Sequence, residues 1–128
     1  INLLLALRSE LNLSYLFISH DLGVVRYLSD RVAVMYLGSV VEDAPADDIF
    51  DHPRHPYTQS LLESIPRLDG EVGNQFGIVK GEPPSPVNIP RGCPFSPRCP
   101  KAEDICFQDG PVWQRTSDRR AWCHFPEN

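Results

Sequence analysis

The stretch "YLFISHDLGVVRYLSDRVAVMYLGSVVE", Tyr15 to Glu42, decides the fold class. "YLFIS" is a short continuous apolar run with an acidic residue and a glycine just beyond it, which predicts a central strand buried on both faces. Asp21 is placed to cap a helix over about Leu22 to Leu28. "SDR" leads into "VAVMYL", a second buried strand, Gly38 permits a tight turn, and "SVVE" returns as a partner. Strand, helix and strand in this order predict an α/β layer with parallel strands and an edge hairpin.

On the N-terminal side, "INLLLALRSE" predicts a helix to about Glu10 whose leucines cover more than one face, hence a well-buried helix. The chain opens on Ile1 in mid-pattern, so it reads as a piece of a longer protein. On the C-terminal side, "PADDIFDH" predicts a short helix with Pro45 near its first turn and two aspartates at the positive end of its dipole. "PYTQSLLESI" predicts another, opened by Pro56 and ended by Pro66. After Arg67 the composition changes. "LDGEVGNQFG" reads as a linker and "IVKG" as a short strand. Seven of the eighteen residues from Pro83 to Pro100 are proline, which excludes regular helix or central strand there. The domain organisation expected is 1–67, a linker at 68–82, and a cysteine-bearing extension at 83–128.

The 128 residues are 41% hydrophobic and 23% charged, ordinary for a globular chain, with net charge −5. That balance weighs against a nucleic-acid partner, as do the six basic and five acidic residues of 91–128. No apolar run approaches the roughly 20 residues of a membrane span. The start lacks the pattern of a secretory signal, so intracellular residence is the expectation, and disulfides are the less favoured fate of the cysteines.

All four cysteines lie in the last third, as C-x5-C-x6-C-x16-C: Cys93, Cys99, Cys106 and Cys123. A proline-rich segment with little regular structure needs a metal or a cross-link to order it. Structural zinc sites commonly offer close cysteine pairs, which are absent here. The wider spacing suits an iron–sulfur cluster better. Zinc, disulfides and free buried thiols remain as alternatives. His124, beside Cys123, is a candidate substitute ligand, but four cysteines already complete a set, and it reads as a local hydrogen-bonding group. Phe95, Phe107, Trp113, Trp122 and Phe125 are placed to shield the cysteines and dock the tail on the body of the chain.

His20 follows the predicted strand at its carboxyl end, the edge of an open parallel sheet where ligands bind. A histidine there can donate to a phosphate oxygen or orient a water; the plainer alternative is a loop-end histidine bonded to backbone. Asp21 reads as a cap. His52 and His55 read as residues fixing the turn set by Pro53 and Pro56, because no complementary ligand set lies near them in sequence.

The stretch "LFISHDLGVVRYLSDRVAVMYLGSVVE" resembles the switch-histidine region of ABC transporter ATPases, members of the P-loop nucleotide-binding class. The resemblance implies that His20 contacts the γ-phosphate of ATP and helps hold the attacking water. "HPRHPYTQSLL", His52 to Leu62, with "GEPPSPVNIPRGCPFSPRCPKAEDIC" and "AWCHF", resembles the C-terminal region of ATP-binding subunits of oligopeptide, dipeptide and nickel importers. Ser39 departs from a position that is often basic in that group. The resemblance implies ATP with Mg²⁺ as cofactor and a four-iron four-sulfur cluster on Cys93, Cys99, Cys106 and Cys123. Its implied partners are a second ATPase subunit, transmembrane permease subunits and, indirectly, a peptide-binding protein. The implied location is peripheral, on the cytoplasmic side of the membrane. No G-x-x-x-x-G-K-[ST] occurs in the 128 residues, so the chain alone is expected not to hydrolyse ATP. A metal-bearing interaction or regulatory module without ATPase activity is the alternative reading.

Overall fold

The computed structural model describes residues 1–65, 81–82 and 84–127. Its elements are α1 (Asn2–Leu11), α2 (Leu22–Leu28), β1 (Arg31–Tyr36), β2 (Ser39–Pro45), α3 (Ala46–Asp51), α4 (Pro56–Glu63), a 3₁₀ turn at Ser96–Arg98, α5 (Asp104–Gln108), β3 (Trp113–Thr116) and β4 (Arg119–Trp122). The linker 68–77 and the strand expected at "IVKG" fall almost wholly outside the described residues.

The Asp21 carboxylate caps α2, accepting the Val24 N–H at 3.1 Å. The hairpin forms as expected. Leu37 and Gly38 take φ of 45° and 80° between β1 and β2, the two left-handed residues that a twist-matched two-residue turn requires. Pro45 precedes α3, with Asp47 and Asp48 in its first turn. Pro56 occupies the first turn of α4, where its missing N–H costs no helical hydrogen bond.

Three expectations are corrected. Tyr15–Ser19 is not a strand: a strand needs a neighbouring backbone to satisfy its N–H and C=O groups, and none of the described strands pairs with it. Leu16 and Ile18 are accordingly 95% and 89% exposed. The parallel layer is replaced by a four-stranded antiparallel sheet in the order β1-β2-β4-β3, so β2 is central where an edge was expected. Helix α1 forms but has no buried residue: Leu5 and Leu7 are half-buried, and Leu3, Leu4 and Leu11 are exposed.

The register of β1 on β2 pairs Val34 with Glu42 and Met35 with Val40, leaving Val41 as an extra residue. Such a bulge re-aims side chains, and Val41 and Glu42 are consecutive yet both 1% exposed. The other edge of β2 is taken by β4, through Glu42–Ala121 and Asp43–Arg120. Asp43 holds the three strands laterally, pairing with Arg31 at 2.6 Å and Arg120 at 2.8 Å.

One core spans both halves of the chain. Val34, Tyr36, Val41, Ala44 and Ile49 pack with Cys93, Phe95 and Cys106, and Tyr57, Leu61, Cys99 and Trp122 close over them. Of the aromatic residues expected to dock the tail, Phe95 is 1% exposed and Trp122 joins the core, whereas Phe107 and Phe125 remain largely exposed. Arg120 lies over the Trp113 ring at 4.9 Å.

Candidate functional site

The site is built on the turn between α3 and α4. The buried Glu42 carboxylate accepts the Arg54 N–H at 2.6 Å and the His55 N–H at 2.9 Å. A carboxylate there satisfies two amides that proline-fixed geometry leaves without helical partners. Arg119 donates to the His52 carbonyl, the Arg54 side-chain Nε donates to the Glu127 carbonyl at 2.8 Å, and the Glu127 N–H donates to the Arg54 carbonyl at 3.0 Å. The expected role of this turn's histidines as structural pins thus holds for His55. Its Nδ1 accepts the Tyr57 N–H at 3.0 Å and caps α4. In the neutral ring this leaves the proton on Nε2.

The four cysteines arrive from three segments and line a single cavity. Cys93 follows Gly92, and its N–H donates to the Cys106 carbonyl at 2.8 Å. Gly92 has φ of 76°, and a Cβ there would lie 2.5 Å from the Cys106 oxygen. Only glycine fits this crossing. Gly92→Ala is therefore expected to destabilise the C-terminal segment by about 2–4 kcal/mol, read as a lowered urea midpoint and faster exchange of the Cys93 amide. Cys99 ends the 3₁₀ turn, Cys106 sits in α5 and Cys123 follows β4. All four are free thiols.

Burial pushes the Cys93 and Cys99 thiols up and that of Cys123 up to about 11, and the proximity of the other cysteines adds to it. Backbone N–H groups act the other way: those of Phe95 and Ser96 on Cys93, that of Lys101 on Cys99, that of Phe125 on Cys123. Amides that favour the thiolate would also support a cysteine whose proton a metal has displaced. As they stand, no three His, Cys, Asp or Glu side chains among the described residues converge tightly enough to hold a single metal ion. Thiolates bound to separate irons of one cluster need no such convergence. Four thiols lining one cavity are the donor type and number that a four-iron cluster would take.

His55, Ser96 and Lys101 line this cavity and carry no site role in the sequence reading. His55 lines the cavity and is 1% exposed, and Ser96 lines it at 2%. Among the described residues neither His55 Nε2 nor Ser96 Oγ has a hydrogen-bond partner. Burial lowers the His55 pKa to about 4, and the nearby Trp122 carbonyl favours the ring proton slightly without reaching hydrogen-bond geometry. Ser96 could have been suspected from its place between two cysteines. His55 carries no local signal, because Cys93 lies 38 positions away. His124 hydrogen-bonds as expected but not locally: its Nε2 meets the carbonyl of Asp109, fifteen positions away, at 3.0 Å, and it lines the cysteine cavity.

His20 stands apart from this cavity's wall. It is exposed, directly before the cap of α2, and the Asp21 N–H bonds to the Ser19 hydroxyl at 3.0 Å.

An antiparallel hairpin carrying a histidine-proline turn, closed by a cysteine-bearing tail, is the class of module these features define. The chain belongs to the family described as "Oligopeptide/dipeptide transporter, C-terminal region", which it matches over residues 41–106. It is 50% identical over 91% of its length to the oligopeptide transport ATP-binding protein AppF of Bacillus subtilis, covering 36% of that protein. It is 46% identical over 92% of its length to the dipeptide transport ATP-binding protein DppF of Haemophilus influenzae, again covering 36% of it. With AppD of Bacillus subtilis, also an oligopeptide transport ATP-binding protein, identity is 54% over 80% of the chain and 31% of that protein. The chain spans about a third of the length of these curated relatives. Among the described residues no helix is long and apolar enough to cross a membrane.

Proposed function

We propose that this chain is the C-terminal portion of the ATP-binding subunit of an ABC importer that takes up dipeptides or oligopeptides. The observation that carries this reading is near-50% identity, over nine-tenths of the chain, to ATP-binding proteins of oligopeptide and dipeptide transport. ATP and Mg²⁺ are then the cofactors of the complete subunit. Its partners are a second ATPase subunit and the transmembrane permease, and indirectly a peptide-binding protein. It works at the cytoplasmic face of the membrane. The exposed apolar residues of 15–19 and α1 suit a segment completed by further strands and helices of that subunit. Residues 1–67 form the end of the nucleotide-binding domain, 68–82 the linker and 83–128 the extension.

In this reading His20 meets the γ-phosphate and orients the attacking water. Its place directly before the capped start of α2 matches the resemblance on which this role rests. The 128 residues contain no phosphate-cradling G-x-x-x-x-G-K-[ST], and the isolated chain hydrolyses no ATP. In the complete subunit, His20→Ala is expected to lower ATP turnover about 100-fold with nucleotide binding retained. Unaltered hydrolysis by the His20 variant would remove the histidine from the reaction.

Cys93, Cys99, Cys106 and Cys123 would hold a four-iron four-sulfur cluster, the donor set being four thiols that share one cavity. Such a cluster supplies cross-linking of the tail and, where its potential allows, a one-electron change of charge. The chain's own part is to gather the four sulfurs through the Gly92 crossing and to shield them with Phe95.

A further inference from the structure

The cavity wall that carries the cysteines also carries two buried groups, His55 Nε2 and Ser96 Oγ, that make no hydrogen bond among the described residues, the Trp122 carbonyl lying near the His55 ring but outside hydrogen-bond geometry. His55 is held on every other side: its backbone N–H is bound by Glu42 at 2.9 Å, and its Nδ1 is taken by the Tyr57 N–H at 3.0 Å. The ring proton therefore resides on Nε2, which is buried and partnerless among the described residues. The Ser96 hydroxyl is in the same condition on the same wall. A buried donor left unsatisfied costs about 1–3 kcal/mol. Two such donors lining one cavity with four thiols are explained together if the cavity's contents accept hydrogen bonds.

We propose that His55 Nε2 and Ser96 Oγ donate hydrogen bonds to the sulfur atoms of the group held by the four cysteines, making His55 a positioning residue that joins the histidine-proline turn to that group. This rests on the reading that the cysteines carry a cluster. The same imidazole caps α4 through Nδ1, and its backbone is clamped by Glu42 of the central strand. Loss or charge change of the sulfur-ligated group is thereby felt at the start of α4 and along β2, not only in the tail. Donors to sulfur stabilise the more negative, reduced state and raise the reduction potential.

The test uses the complete protein prepared without oxygen, with iron and sulfide content measured beside a redox titration followed by visible absorption and electron paramagnetic resonance. His55→Asn keeps a side-chain cap for the Tyr57 N–H but is too short to supply the Nε2 proton. His55→Gln restores an amide N–H near the Nε2 position. Loading equal to the parent, with a midpoint shifted to more negative potential in His55→Asn and returned toward the parent in His55→Gln, is the expected result. Ser96→Ala shifts it in the same direction. Equal loading with an unmoved midpoint in His55→Asn overturns the inference and leaves the cysteine assignment standing. If His55→Asn fails to load, Ser96→Ala decides: an unmoved midpoint there overturns the inference. A parent protein that takes up no iron overturns the cysteine assignment and the inference together.

Discussion

Replacing Phe95 by alanine is expected to destabilise the folded chain by about 3–5 kcal/mol, the range for deleting a fully buried aromatic side chain. Phe95 is 1% exposed and stands where the two halves of the core meet. Its ring lies 5.3 Å from that of Tyr36 at 85°, an edge-to-face contact, and 5.4 Å and 5.9 Å from Tyr57 and His55. Tyr36 and Tyr57 are themselves in contact at 4.6 Å. Truncation would leave a void bordered by rigid rings that cannot collapse into it. The loss would concentrate on the tail, because Phe95 lies between Cys93 and Cys99 in the chain and its ring seats that segment in the core. Chemical denaturation would measure the loss, and thiol labelling should show Cys93 and Cys99 modified faster than in the parent. A change below about 1 kcal/mol would mean that the tail does not depend on this anchor.

Glu42→Ala is expected to cost a similar about 3–5 kcal/mol, for a different reason. It strips two buried amides, those of Arg54 and His55, of their only acceptor and opens a void beneath the turn. Glu42→Gln is the milder control. It keeps one acceptor but faces an N–H with its own NH₂, at about 1–3 kcal/mol. The wild-type carboxyl also carries a pH signature. Burial raises its pKa above 4.5, although the Thr58 hydroxyl, the Arg54 and His55 amides and the Arg119 charge oppose this. A group whose folded pKa is raised binds its proton more tightly in the native state. Its stabilisation is therefore complete below the unfolded value and lost as pH climbs through the folded one. Denaturation of the wild-type protein should show stability declining from about pH 4.5 upward through that window. The decline should be absent from the Glu42→Gln variant. Parallel pH profiles for the two proteins would show that the Glu42 carboxyl does not titrate within the fold.

Local chemistry made most of the helices and the first hairpin legible. Asp21 and Pro56 are side chains whose effect is confined to one helical turn, and Leu37–Gly38 closes a two-residue hairpin that needs no distant partner. The apolar run at Tyr15–Ser19 misled because hydrophobicity reports what wants to be covered, not what is available to cover it. The pairing of β2 with β4 joins residues nearly eighty positions apart, and β4 is only four residues long. Its hairpin with β3 had a usable signal in the Ser117–Asp118 turn, where Ser117 takes φ of 53°, but nothing local chose β2 as the neighbour. The same non-local docking brings His55 to the cysteines. The thiol set was readable as a set from its count and crowding, whereas the histidine and serine donors on its wall became visible only in three dimensions.

The decisive quantity is the iron and acid-labile sulfide bound per chain by the complete protein purified without oxygen, taken with its visible spectrum. If Cys93, Cys99, Cys106 and Cys123 serve together, about four irons and four sulfides should accompany each chain with broad brown absorbance, and Cys99→Ser should diminish both. A colourless protein free of iron, or one holding a single zinc ion at full occupancy, would contradict it.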